Sequence, residues 1–417
     1  MRILILAQWF YPEPIYKGLS FAKELKKRGH DVCVLTGFPN YPMGMIYSGY
    51  KMSFYKRETI YGIKVIRVPL FPSHDRNAIK RILNYVSFAL SAAFLGLFLI
   101  PKVDVAYVYH VPAPIGFTVW FLKLFRRIPF VYDIQDIWPD SVMQSGMLNI
   151  PFIEKVLIFL CMLVYKRASH IIVLSNGFKK ILEERGIDSK YITVIPNWSD
   201  EDNIKPLPYN TELAKKFSLH GKFNVMFAGN MGCAQGLDVI HATAKLLVDY
   251  TDIQFVLIGD GVEVSKIKGK LSNSNLGNVL FIPRQPSSYI AEFLNVADVL
   301  LVHLIDHPLF RITIPSKIPA YMRVGKPILM GVKGEAAEIV NSTASGLCFH
   351  PEDPTSLANA VIALYKMTDD DRKKMGSNGM FTYEHKMSLH SGASKTEVIL
   401  EKCTRLGKYT RKEINIC

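Results

Sequence analysis

Cysteine is scarce and unpatterned in this chain. Six residues, Cys33, Cys161, Cys233, Cys348, Cys403 and Cys417, are spread over 417 positions without a CxxC spacing. Neither a zinc site nor a disulfide scaffold is indicated, and the usage fits a reducing compartment. Long apolar runs are missing too. "YVSFALSAAFLGLFLI", Tyr85–Ile100, holds 16 residues and is stopped by Pro101, short of the roughly 18–20 that cross a bilayer. "VLIFLCMLV", Val156–Val164, is shorter. Neither is expected to span a membrane. The second reads as a buried core helix, and the first fits a core helix and a membrane-surface element equally. "MRILILA" is too short for the apolar core of a secretion signal and reads as a buried strand, so a cytosolic protein is expected. Fixed-period repeats and low-complexity tracts are absent, which excludes solenoids and disordered arrays.

Acidic residues are in deficit. With 50 Lys+Arg against 36 Asp+Glu the formal net charge is +14, which suits nucleic acid, an anionic membrane face or an anionic small substrate. Nucleic acid explains the charge poorly, because no basic–aromatic interleaving or reading helix is present. Between Lys51 and Arg127, basic residues including Arg76, Lys80, Arg81, Arg126 and Arg127 gather around the Tyr85–Ile100 run. Basic beside apolar sequence predicts contact with a membrane surface.

What is present is globular: 49% apolar and 21% charged residues, in a chain longer than the ~250–300 residues at which one core stops growing. "RILILA", "GLSFAKELKKRGH" and "DVCVLTG" read strand, helix, strand, and the cycle recurs in "VDVAYVYH", "PFVYDIQD" and "HIIVLS". After "YITVIPNWSD" the pattern relaxes around Lys205–Pro208, and a second series opens with "VMFAGN". The expectation is an α/β protein of two Rossmann-like domains, 1–200 and 201–417, whose parallel sheets face across a cleft. The last helices are expected to pack back toward the first domain, with a ragged tail over Arg411–Cys417.

Several side chains suit chemistry. "FAGNMGCAQGLDVI", residues 227–240, runs strand, glycine-bearing turn, helix, as where a backbone cradles phosphate, yet its turn holds no Lys or Arg. His110 ends a strand ahead of a proline turn. In "YDIQDIWPDS", Asp133, Asp136 and Asp140 follow a strand. Asp136 is the candidate to take a proton or hydrogen bond from a hydroxyl, Asp140 reads as a helix cap before Ser141, and Asp133 as a loop anchor. Glu335 and Glu338 open the helix of "GEAAEIV" behind Gly334, where the helix dipole alone would favour both acids.

Taken in order, "GHDVCVLTGFPNYPMG", "YDIQDIWPDS", "VIPNWSD", "FAGNMGCAQGLD", "VLIGDG", "PSKIPAYMRVGKPIL" and "GEAAEIV" resemble glycosyltransferase family 4. Within it they look most like the sugar transferases of bacterial O-antigen, capsule and colanic acid synthesis, N-acetyl-L-fucosamine transferases included. The resemblance runs from Met1 to the "SLANAVIALY" helix. It implies a GT-B fold and transfer of a sugar, with retention of configuration, from a nucleotide diphosphate sugar. That donor would be UDP-linked, with UDP-N-acetyl-L-fucosamine as one candidate, and the acceptor a lipid-linked glycan of the undecaprenyl diphosphate type. It further implies no cofactor and no metal, which the lack of a DxD pair fits, and a peripheral position on the inner face of the cytoplasmic membrane.

Residue by residue, the resemblance places Asn230 and Gln235, beside Gly236, where family members carry an Arg and a Lys that bind the diphosphate. The missing charge must come from elsewhere, and the candidates are Lys317, Arg284 and Arg311. Lys317 lies in "IPSKIPAYM", where Ser316 can cap the helix and the dipole would add to the ammonium. The family's two glutamates, eight positions apart, fall here on Ile312 and Ala320, so the donor sugar loses its usual partners and Asp306 is the candidate replacement. The family also places a histidine near the donor, matching His110, and a loop whose backbone approaches the donor, matching Gly334 with Glu335 and Glu338. A nucleotide-sugar epimerase of the same fold and a catalytically silent scaffold are the alternatives.

Overall fold

Strands form where the sequence is continuously apolar, because a parallel sheet covered by helices is buried on both faces. The computed structural model describes residues 1–74, 77–140, 151–274 and 276–414, the last nine by backbone alone; Arg76 and Ser141 lie outside them. Two units result, Met1–Pro196 with Gly392–Cys417, and Asn197–Ser391.

The first unit runs β1 (Arg2–Leu6), α1 (Leu19–Lys27), β2 (Asp31–Gly37), β3 (Lys56–Ile60), β4 (Ile63–Val68), α2 (Ala78–Leu99), β5 (Val105–His110), α3 (Ile115–Arg126), β6 (Phe130–Ile134), α4 (Pro151–Tyr165), β7 (His170–Val173), α5 (Asn176–Glu184) and β8 (Ile192–Val194). Its sheet order is β3-β4-β2-β1-β5-β6-β7-β8. Only β3 is antiparallel to its neighbour, joined to β4 through Tyr61 and Gly62, both at positive φ (49° and 74°), as a two-residue hairpin whose twist matches its strands requires. The connections β4 to β5, β5 to β6 and β6 to β7 all step in one direction along the sheet. Right-handed crossovers therefore lay α2, α3 and α4 on one face and α1, which steps the other way, on the opposite face.

Helix α2 differs from expectation. It begins at Ala78, where the Asn77 side chain accepts the N–H groups of Ile79 and Lys80, so its 22 residues are long and apolar enough to cross a membrane by length and composition. One flank packs inward through Phe88, Ala89, Ala92 and Ala93, whereas Ile79, Leu83, Val86, Leu90, Phe94 and Phe98 face outward. Helix α4 differs likewise. Expected as a buried core helix, it exposes Phe152, Phe159 and Leu163, because α3 covers only one flank.

The second unit runs α6 (Thr211–Lys216), β9 (Phe223–Asn230), α7 (Asp238–Leu246), β10 (Ile253–Asp260), α8 (Val264–Ser274), β11 (Val279–Pro283), α9 (Ser287–Val296), β12 (Val299–His303), α10 (Pro308–Arg311), α11 (Lys317–Val324), β13 (Ile328–Gly331), α12 (Glu335–Ser342), β14 (Gly346–Cys348), α13 (Pro354–Lys366) and α14 (Asp369–Thr382). The sheet order is β11-β10-β9-β12-β13-β14, parallel throughout. Each unit is thus built on a Rossmann-like sheet, as expected. The last helix, α15 (Leu389–Ile414), joins the first unit: Glu397 accepts from Arg28 at 3.0 Å and pairs with His30 at 2.7 Å. Residues Arg411–Ile414 are helical where a ragged tail was expected; 415–417 lie outside the described residues.

A buried arginine holds the edge of the first sheet. Arg67 of β4 is fully covered and donates to Glu58 of β3, to the Gly37 carbonyl at the end of β2 and to the Tyr11 carbonyl in the β1–α1 loop. Arg67→Ala leaves the two carbonyls without this donor and Glu58 with Lys56 (3.0 Å) as its remaining cation, so urea unfolding of this unit should show a loss of about 3 kcal/mol; a loss under about 1 kcal/mol would show that water replaces the guanidinium.

Candidate active site

In a parallel sheet all carboxyl ends lie on one edge, and ligands bind there in α/β proteins. In the second unit that edge collects the turn after β9 and the segments after β11, β12 and β13. The turn is self-closing: the Gln235 side-chain carbonyl accepts the Gly232 N–H at 2.8 Å, and Asn230 Nδ2 lies against the same glycine. Gln235 therefore shapes the loop. Gly236 turns left-handed at φ 52°, and a Cβ there would stand 2.8 Å from Ile305 and 3.1 Å from His303, so glycine is needed on both counts. His303, buried at the end of β12, donates from Nδ1 to the Gln235 carbonyl (2.7 Å) and accepts the Glu352 N–H on Nε2 (3.0 Å). Burial lowers its pKa, so the ring is neutral with one fixed tautomer. His303 was not singled out from sequence, since "DVLLVHL" marks only a strand end.

Strands β9 and β12 pair at Val225–Val299 and Met226–Leu300 and then part. The Tyr321 hydroxyl of α11 fills the gap, accepting the Ala228 N–H at 3.0 Å and donating to the Ala228 carbonyl at 3.3 Å. One helical turn earlier, Lys317 takes the first position of α11. Its Nζ lies 4.4 Å from the Phe227 ring centroid, and its Cε lies 3.0 Å from where a Gly229 Cβ would be. Among the described residues no carboxylate pairs with it, and burial pulls its pKa down to about 8. Ser316 sits at the N-cap but its side chain makes no cap hydrogen bond, at φ −61°, ψ −14°. The expected cap is thus absent because Ser316 is itself helical rather than extended.

The other candidate charges are differently placed. Asp306 accepts from Arg311 at 2.9 and 3.1 Å and from Lys333 at 2.6 Å, and these cations hold its carboxyl down at about 2. Asp306 thus anchors two cations, and Lys333, which sequence reasoning passed over, completes the group. Gly334 approaches the Arg311 carbonyl so closely that a Cβ would fall 2.0 Å from it, which places Glu335 next to this cluster and leaves Glu338 exposed on α12. Arg284 is exposed after the edge strand β11, and the described contacts do not join it to the others. Behind the turn a groove of about 470 Å³ is lined by Cys233, Gly236, Asp238, Lys266 and Glu352, but its lysine is already bound by Glu263 and Asp238.

In the first unit, His110 closes β5 with 1% exposure. Among the described residues neither ring nitrogen has a hydrogen-bond partner, and burial pushes its pKa down to about 3, so the imidazole is neutral. Asp133 forms a buried ion pair with Lys17 at 2.7 Å and is also bonded by Tyr107 and Gln135. Lys17 is 116 residues away in sequence, with no spacing to betray it. Asp136 reaches solvent beyond β6, while crowding by neighbouring protein raises its carboxyl above the usual range. Asp140 pairs with Arg185 at 2.5 Å; the helix it was expected to cap, from Ser141, lies outside the described residues. Glu13, also unforeseen, accepts the N–H groups of Phe10, Asn40 and Tyr41 and so ties together the loops after β1 and β2.

Two family models match this architecture, the glycosyl transferase 4-like domain over residues 19–198 and the glycosyl transferases group 1 over residues 209–380. The chain is 28% identical over 256 residues to Pseudomonas aeruginosa WbjE, described as a glycosyltransferase, covering 60% of this chain and 63% of that one. It is 24% identical over 381 residues to Escherichia coli K12 WcaI, described as a colanic acid biosynthesis glycosyl transferase, covering 87% and 91%. The fold matches Anabaena HepE in complex with UDP and glucose at TM-score 0.71 and 17% identity, covering 96% and 99% of the two chains. It also matches Thermosynechococcus elongatus sucrose-phosphate synthase at TM-score 0.64 and 15% identity, over the whole of both. The protein is thus a glycosyltransferase with the GT-B fold. Within that class its residues 209–380 match the group 1 glycosyltransferases, and the chain is distantly homologous to the glycosyltransferases WbjE and WcaI.

Tyr321→Phe would keep the ring but strand the Ala228 N–H and carbonyl between parted strands. Unfolding of the second unit should cost about 1–3 kcal/mol less than in the unaltered protein; equal midpoints in chemical denaturation would show that β12 closes the gap by itself.

Proposed function

We propose that the chain transfers a sugar, with retention, from a UDP-linked donor to a hydroxyl of a lipid-linked glycan during surface polysaccharide synthesis. UDP-N-acetyl-L-fucosamine is the candidate donor and an undecaprenyl diphosphate glycan the candidate acceptor. Support comes from the UDP and glucose in the HepE complex, from the colanic acid role in WcaI's description, and above all from Lys317. It is a half-buried ammonium at the end of β9, without a carboxylate partner among the described residues, beside the turn that lacks the family's cations.

In the reaction the donor C1–O bond breaks, its electrons leave with the UDP diphosphate, and the acceptor oxygen bonds to C1 on the same face. Negative charge grows on the diphosphate, and a cation already desolvated stabilises it most. Lys317 is assigned that task, with the turn at Asn230, Gln235 and Gly236 approaching through its backbone. His110, neutral and without a hydrogen-bond partner among the described residues, is assigned a hydrogen bond to the donor sugar. Asp136, with its raised carboxyl pKa, is assigned the acceptor proton.

With labelled UDP-sugar, this reading requires UDP release that depends on an acceptor; sugar interconversion without acceptor would mean an epimerase, and no turnover a silent scaffold. Lys317→Ala should lower turnover by tens of fold or more, about 2–4 kcal/mol of barrier, and activity within twofold of wild type removes Lys317 from the site. Because the protonated form exists below its pKa of about 8, UDP affinity should weaken as pH rises from 7 through 9, and Lys317→Ala should flatten that profile. His110→Ala should lower kcat while UDP affinity measured by calorimetry stays within about twofold; equal loss of both contradicts its place beside the sugar.

A further inference from the structure

We propose that the joint outer face of α2, α3 and α4 is inserted into the headgroup region of an anionic phospholipid bilayer, held by apolar contact rather than by charge alone. The three helices lie side by side on one face of the first sheet: Thr118 of α3 donates to the Ala89 carbonyl of α2 at 2.8 Å, and Gly116 of α3 abuts Val164 of α4. Their outward residues form one apolar surface. On α2 they recur every three or four positions from Ile79 to Phe98, whose side chain is 82% exposed. Phe94 of α2 meets Phe121 of α3 at 5.2 Å, and Phe121 meets Phe125 at 4.5 Å. Helix α4 extends the surface with Phe152, Val156, Phe159 and Leu163, all exposed.

The charges around it choose the occupant. Helices α2 and α3 contain no acidic residue and α4 contains only Glu154. Lys80, Lys102, Arg127, Lys155, Lys166 and Arg167 are exposed on or beside these helices. An apolar centre with a predominantly cationic surround among the described residues complements acyl chains beneath a layer of phosphates. A second copy of the same face would set these cations against one another. Nor is α2 free to span, since its inner flank packs on β2, β4 and α3, so the helices lie along the surface.

The test uses the full chain without donor or acceptor, so its outcome is independent of the transferase reading. Flotation with phosphatidylglycerol–phosphatidylethanolamine vesicles should retain the protein at molar salt, where charges are screened beyond about 3 Å. Combining Phe98→Glu, Phe125→Glu and Phe159→Glu, which touch only exposed positions, should lower vesicle partition at least about tenfold with the circular dichroism spectrum unchanged. As a second measurement that needs no folding comparison, the indole of a Phe98→Trp variant should be quenched by brominated lipid and that of Tyr61→Trp, on the β3–β4 hairpin, should not. Release of the wild type at molar salt, equal flotation of the triple variant, or an unquenched Phe98→Trp indole would each overturn the proposal. So would a solution dimer that the triple variant dissociates without any vesicle binding.

Discussion

A backbone group in a buried sheet must find a partner, and the second unit turns that rule into a device. Where β12 leaves β9, the N–H and carbonyl of Ala228 face a gap that one hydroxyl fills as both donor and acceptor. The position of α11 relative to β9 is set by that contact. Residues four apart share a helix face, so seating Tyr321 also seats Lys317 at the strand end. Tertiary packing of an ordinary-looking helix thus places a cation beside a turn that has none.

Three other cations near this edge are neutralised within the protein. Arg311 and Lys333 share Asp306, and Lys266 is shared by Asp238 and Glu263. Lys317 differs in having an aromatic face and, among the described residues, no anion. A half-buried unpaired charge lowers folding stability, and an anionic ligand arriving there would relieve that cost. The same desolvation that weakens the ammonium's hold on its proton strengthens its field on a diphosphate.

The strands and their grouping into two α/β halves were legible because parallel strands covered on both sides must be continuously apolar, and β1, β5, β9 and β12 are. The turn after β9 was legible from its glycines. What the chain did not show is which side of an apolar helix is covered. Helices α2 and α4 are apolar over most of their surface, and it is the right-handed crossovers that line them up on one face, with Phe94, Phe98 and Phe159 exposed there, that reveal the open flank. Long-range pairs were equally hidden: nothing local ties Lys17 to Asp133, or Lys333 to Asp306. Ser316 misled because a serine before a helix usually caps, whereas here its own backbone is already helical. Gln235 was read as a neutral substitute for a ligand-binding lysine, while its side chain closes the loop on Gly232.

The last helix bears on how the protein is made. Residues 197–391 form one unit as an unbroken stretch, whereas the first unit needs both Met1–Pro196 and the segment from Gly392 onward. The contacts that close it join the two extremes of the chain, Glu397 to Arg28 and His30, and Thr404 to Met1. At ~5–20 residues per second, the 195 residues between (391 − 197 + 1) occupy the ribosome for roughly 10–40 s after β8 emerges. The second unit can fold as it appears, but the first, with its apolar helices already made, waits for α15 until the whole of the second unit has been synthesised.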